Sequence, residues 1–103
     1  MYKVDAQMST AELGLLKAKK IAEVEAFIKS DIEYNEGYLV SLRHLYLAYR
    51  IYCRRNNLYT LRKGELWRTL YDLGFTTVMV DNKPFWYGLL PKYVQVTPYG
   101  KKV

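Results

Sequence analysis

The sequence predicts an α+β domain, on three observations. Apolar residues recur with a helical period over three stretches between residues 9 and 75, the period drops to two after Phe75, and short groups of turn-forming residues separate the runs. A chain of 103 residues, half hydrophobic and a quarter charged, is long enough for one domain around one modest core. The expected organisation is a flexible start over residues 1–8, a folded domain over 9–91 and a tail over 92–103.

Each element has a local reason. Ser9-Thr10-Ala11-Glu12 has the form of a capping box, a serine followed three residues later by a glutamate, so a first helix begins near there. Its second half, Lys19 to Ser30, is amphipathic, with Ile21, Val24, Phe27 and Ile28 on one side. "DIEYNEG" breaks the pattern, and Tyr38-Leu39-Val40 reads as a short extended piece leading to Ser41, the N-cap of a second helix. In "LYLAYRIYCRRNN", Leu42, Leu45, Tyr46, Tyr49, Tyr52 and Cys53 fall in one broad arc at roughly 100° per residue. Leu47, Ala48 and Ile51 form a second apolar strip nearly opposite, which predicts a helix packed between two neighbours. Arg43, Arg50 and Arg54 share a narrow stripe between the two faces. That stripe fits either a solvated edge or a meeting with something acidic.

After Asn56-Asn57, "LYTLRKGELWRTLYDLGF" repeats a helical pattern over residues 58–75, with Leu66, Leu70 and Leu73 on one face and Gly64, Arg68, Tyr71 and Asp72 on the other. The N-cap is Thr60 or a residue just after it, and Gly74 is a natural residue to end the helix in the left-handed conformation. "FTTVMV" (75–80) then alternates, "FWYGLL" (85–90) is a second strand-like run, and Asp81-Asn82-Lys83-Pro84 between them are turn formers, so the two runs form a hairpin. Helix, short strand, two helices joined by a short polar connection, and hairpin is the order of a winged helix: a helix-turn-helix with a C-terminal β-hairpin wing.

Charge adds a functional expectation. The net charge is +6. Residues 1–40 hold five lysines against seven acids, whereas 41–103 hold eleven basic residues against three acids, so the whole positive excess lies in the second part. Such asymmetry in a small domain suggests a polyanionic partner, nucleic acid first and an anionic membrane surface second. No run approaches the ~18 to 20 apolar residues of a membrane span, and the N-terminus has no signal-peptide core, so an intracellular protein is expected. One cysteine, Cys53, cannot form an internal disulfide, and a lone His44 with it cannot assemble a zinc site from this chain alone. His44 lies beside Ser41 with no third group to orient it, and Cys53 falls on the core arc, so neither is expected to be catalytic. No metal site and no cofactor is expected. Most of the eleven tyrosines occupy core arcs, leaving Tyr59, Tyr71 and Tyr87 for the surface.

The run from "VEAFIKSDIEYNEGYLVSLRHLYLAYRIYCRRNN" through "LRKGELWRTLYDLGF" to "FWYGLL", about residues 24–90, resembles the C-terminal winged-helix domain of phage, plasmid and large-virus primase-helicases. The family's form is a Phe-centred first helix, LYxAYxxWCxxN in the second, apolar-xxx-Leu-xx-basic-Gly-Phe in the third, and a hairpin ending near Tyr-x-Gly. Tyr52 stands where the family usually has Trp, and Leu66 where it usually has Phe, both apolar exchanges. The sequence has no GxxxxGK[ST] phosphate loop and no acidic primase cluster, so the resemblance implies a non-catalytic DNA-binding accessory of a viral or mobile-element replication system.

By the usual docking of such domains, the third helix enters the major groove of duplex DNA with Arg62, Lys63 and Arg68 on phosphates or a guanine edge. Thr60 lies at the entry of that helix, and Gly64 lets its backbone approach. Ser41 and Arg43 contact phosphate from the start of the second helix, and Asn82 and Lys83 at the hairpin tip touch the neighbouring minor groove or backbone. Glu65 is placed to pair with Arg68 at i,i+3, which would weaken the site. Two alternatives stand beside this reading. Acids Glu65 and Asp72 on the third helix favour a module that docks onto a replication protein, and Leu13, Leu15 and Leu16 favour a transcription regulator dimerising through its first helix.

Overall fold

The computed structural model describes residues 10–93, with side chains from Lys17 on. Three helices and a three-stranded antiparallel sheet make an α+β domain in the order α1 (Thr10–Asp31), β1 (Ile32–Ser41), α2 (Leu42–Arg55), α3 (Lys63–Asp72), β2 (Thr77–Val80), β3 (Lys83–Pro91). The expected Ser9 cap, the flexible start and most of the tail lie outside the described residues, as do the side chains of Leu13, Leu15 and Leu16.

α1 buries Val24 and Phe27, with Ile21 and Ile28 half-buried, the face its periodicity predicts. The following stretch departs from expectation. Residues 32–37, read as a pattern break, are already strand, and β1 runs ten residues into Ser41. β1 pairs with β3 in two registers: Ile32↔Pro91 to Tyr34↔Leu89, then Leu39↔Tyr87 to Ser41↔Phe85. Four residues of β1, 35–38, therefore face the single Gly88 of β3, and this bulge is what broke the alternation. Gly88 has φ +78°, and the Tyr34 ring lies so close that a Cβ there would stand 2.7 Å from Tyr34 Cε1.

α2 begins as expected, with Ser41 Oγ accepting from the His44 backbone N–H at 3.1 Å. It buries Leu45, Ala48, Tyr49, Tyr52 and Cys53. The second apolar strip does not pack as expected: Ala48 joins the core, Ile51 is half-buried and Leu47 is exposed. The helix ends in a Schellman arrangement around Asn57 (φ 55°), where Leu58 N–H donates to Cys53 C=O at 2.9 Å. The connection from 56 to 62 is held by two tyrosines of α2. Tyr46 Oη donates to Leu61 C=O at 2.8 Å, and Leu61 N–H donates to Tyr49 Oη at 3.1 Å. Both polar groups of one buried loop residue are thereby satisfied, and Leu61 itself enters the core.

This pinning shortens the third helix relative to the sequence expectation. Residues 58–62 are not helical, and of the expected N-caps, Thr60 or a residue just after it, the later position is the one used: Arg62 is the N-cap and Thr60 lies half-buried in the connection. A guanidinium has no acceptor, so only half of a capping box forms: Glu65 Oε1 accepts from the Arg62 N–H at 2.9 Å. Leu66 and Leu70 are fully buried, and Gly74 (φ 100°) ends the helix with Phe75 N–H donating to Leu70 C=O at 3.0 Å. Asp81 and Asn82, both with positive φ (53° and 66°), make the two-residue turn of the β2–β3 hairpin, which pairs Val80 with Lys83.

Aromatic rings run through the otherwise aliphatic core. Phe27 meets Tyr49 and Tyr52 at 5.4 Å between ring centroids, and a second chain of rings runs Tyr46–Trp67–Trp86–Tyr71 at 5.2–6.0 Å. It links α2, α3 and β3. Asp31, buried at the end of α1, accepts from the Arg55 guanidinium at 3.1 Å and from Ser30 Oγ at 2.7 Å, and its carbonyl accepts from Lys92 N–H at 2.8 Å.

Candidate nucleic-acid interface

The residues expected at the interface fall into three places. Arg43 on α2 and Lys63, the first residue of α3, line one hollow of about 390 Å³ together with His44, Tyr46, Leu47 and Arg50. Arg62 at the N-cap of α3 and Arg68 within it are exposed, as are Asn82 in the hairpin turn and Lys83 at the start of β3. Gly64, Arg68, Tyr71 and Asp72 are all exposed, the outward face that the periodicity predicts. A Cβ at Gly64 would meet nothing within 4 Å.

Local contacts decide which of these groups are available. The Ser41 hydroxyl is half-buried and engaged twice, accepting from the His44 amide and lying 3.0 Å from His44 Nδ1. Its first role is therefore to cap α2. Lys63 Nζ stands 5.8 Å from the centroid of the Tyr46 ring, which is itself fixed through its hydroxyl to Leu61. The expected Glu65–Arg68 ion pair is not formed: Glu65 turns back to the Arg62 amide, and Arg68 has no acidic partner among the described residues. The ion pairs among the described residues are Lys20–Glu23 at 3.4 Å and Arg55–Asp31 at 3.1 Å. Arg43, Arg50, Arg54, Arg62, Lys63, Arg68 and Lys83 are exposed with no carboxylate partner among those residues.

Sequence reasoning passed over Arg50 and His44 as members of a site. Arg50 had a visible signal, since it shares the stripe of Arg43 seven residues on, about 10 Å along a helix. His44 had none beyond its place after the cap. Of the tyrosines, Tyr59 and Tyr71 are exposed as expected and Tyr87 is half-buried, while Tyr34 and Tyr93 are exposed as well. The Tyr71 ring is held by a 3.0 Å bond between its hydroxyl and Thr77 Oγ1.

Three phenols resist ionisation. Burial pushes Tyr49 far above the ordinary 10.0, against the lowering effect of its bond to the Leu61 amide. Tyr52 is raised by burial and by Asp31, and Tyr87 by desolvation and Glu36. Among the described residues no cluster of three metal-ligating side chains occurs, and no helix is long and apolar enough to cross a membrane. Comparisons with protein-family models, curated proteins and solved structures return no match.

Proposed function

We propose that this domain is a non-catalytic winged helix that binds duplex DNA, as an accessory of a viral or mobile-element replication system. In this reading α2, the 56–62 connection and α3 form the helix-turn-helix, and the β2–β3 hairpin is the wing. The observation that carries it is the set of exposed cations without a carboxylate partner among the described residues: Arg43, Arg50 and Arg54 on α2, Arg62, Lys63 and Arg68 at and within α3, and Lys83 on the hairpin. Isolated surface charges of one sign repel one another, and a phosphate backbone relieves that repulsion while releasing its own counterions.

The test is duplex binding followed by fluorescence anisotropy across a salt series. If about five phosphates are neutralised, log affinity falls against log salt with a slope of about −4 to −5, with little dependence on base sequence. Arg62→Ala with Arg68→Ala should flatten that slope by about two units, one per contact, whereas Lys17→Ala with Lys29→Ala on α1 should barely alter it. Absence of binding at about 50 mM salt, where phosphate contacts are strong, overturns the DNA reading. That result would favour docking onto a partner protein, the reading that exposed Asp72 and Glu65 beside Arg68 support.

A further inference from the structure

The hollow between α2 and α3 is more than a stretch of basic surface. Six residues line it, Arg43, His44, Tyr46, Leu47, Arg50 and Lys63, and none carries a carboxylate. Three permanent cations thus face one concavity of about 390 Å³. On a convex surface such charges spread into water, but around a hollow they converge, and the field they sum is strongest at its centre.

The walls are held by contacts from both helices. Arg43 and Arg50 stand two turns apart on the same stripe of α2, and both line the hollow. Lys63 comes from the other helix and rests over the Tyr46 ring, whose hydroxyl is bonded to Leu61 in the connection. His44 is held through Nδ1, 3.0 Å from Ser41 Oγ. That oxygen accepts from the His44 amide and still has a hydrogen and a second lone pair for Nδ1, so the bond holds the ring in either neutral tautomer.

We propose that this hollow seats one terminal phosphate group, a dianionic monoester, in preference to a bridging phosphodiester. Three converging cations match two negative charges and three acceptor oxygens better than the single charge of a diester, and planar guanidinium forks suit phosphate oxygens. Leu47 provides an apolar wall that offers the ligand no competing acceptor. The proposal deepens the DNA-binding reading, on which it rests for its nucleic-acid source: a strand end carrying a 5′-phosphate. A free phosphate or nucleotide offers the same chemistry.

The experiment uses the full chain and three duplexes of one sequence: 5′-phosphorylated, 5′-hydroxyl, and covalently closed at both ends. Inorganic phosphate and pyrophosphate are titrated separately, with the His44, Leu47 and Lys63 signals followed by NMR. Arg50→Gln removes a lining charge from an exposed position, and Arg54→Gln removes an equal charge from the same stripe outside the hollow. The expected result is tighter binding of the phosphorylated duplex by about tenfold or more, the size of one charge-assisted hydrogen bond, abolished by R50Q and kept by R54Q. If the duplex ends are indistinguishable but the free phosphates shift those three residues and R50Q abolishes the shift, the seat stands and its source is a free phosphate. If R50Q and R54Q behave alike, or neither ends nor free phosphates have an effect, the seat is refuted. Binding of the closed duplex reports separately on the DNA reading, which survives that refutation if closed duplex binds and fails if it does not.

Discussion

Gly88→Ala is the substitution for which the structure dictates the largest response from the smallest chemical change. At φ +78° an L-residue is in the left-handed region, which costs about 1–2 kcal/mol. The new Cβ would also stand 2.7 Å from Tyr34 Cε1 and 3.1 Å from Cδ1 and Cζ. Because the Tyr34 side chain is exposed, the ring can swing aside, so the steric part reduces to what it abandons, the edge-on contact with Tyr87 at 6.3 Å and 75°, worth about 0.5–1.5 kcal/mol. The sum, about 1.5–3.5 kcal/mol, corresponds to a fall in Tm of about 6–28 °C for a domain of this size. Thermal and urea unfolding followed by circular dichroism measure it, and a cycle with Tyr34→Ala separates the two parts, since without the ring only the backbone cost should remain. Gly64→Ala is the matched control. It sits within a helix in open space and should stabilise by about 0.5–1 kcal/mol. A G88A protein within half a kcal/mol of the parent would refute the bulge geometry, and a full penalty persisting in the Y34A background would refute the ring contact.

Leu45→Ala and Leu70→Ala, both at fully buried positions, should each cost about 2–5 kcal/mol in urea unfolding; a loss under half a kcal/mol at either site would contradict the packing of that helix. Ser41→Ala should destabilise by about 0.5–2 kcal/mol through loss of the α2 cap and alter the His44 imidazole signals in NMR, whereas a serine that served only a ligand would leave stability unchanged. Tyr49 and Tyr52 hold their protons more tightly folded than unfolded, so their contribution is complete below pH 10.0 and falls as pH rises from there toward the folded values. The urea midpoint should therefore drop as pH rises above about 10, in step with phenolate absorbance on unfolding, and a flat midpoint would show that these phenols are not desolvated in the fold.

The features legible in the sequence are those closed by neighbours in the chain. Ser41 caps α2 through an amide three residues on, Gly74 ends α3 through the preceding turn, and Asp81-Asn82 turns the hairpin by its own dihedrals. What escaped is fixed from a distance. Residues 32–34 form strand because β3, more than fifty residues later, offers a ladder, and the 35–38 bulge erased the alternation that would have announced it. Leu58 and Leu61 have helical spacing, but the hydroxyls of Tyr46 and Tyr49 take the Leu61 backbone groups that a helix would need. The same holds for the site. Arg43 and Arg50 could be aligned by angle alone, whereas their meeting with Lys63 depends on the path of the 56–62 connection, which no local pattern encodes.

The contacts of Asp31 have a kinetic meaning. Its carboxylate receives Arg55 from the last turn of α2, and its carbonyl receives the amide of Lys92, one residue past β3. An amide just beyond a terminal strand ordinarily exchanges with solvent through fraying, at a rate indifferent to the rest of the fold. Here the acceptor is the residue where α1 turns into β1, and releasing it disturbs a buried carboxylate whose partner belongs to a third element. The Lys92 amide is thereby coupled to openings that involve α1, β1 and α2 together, and its exchange should follow the slow amides of the sheet interior and not those of its chain neighbours.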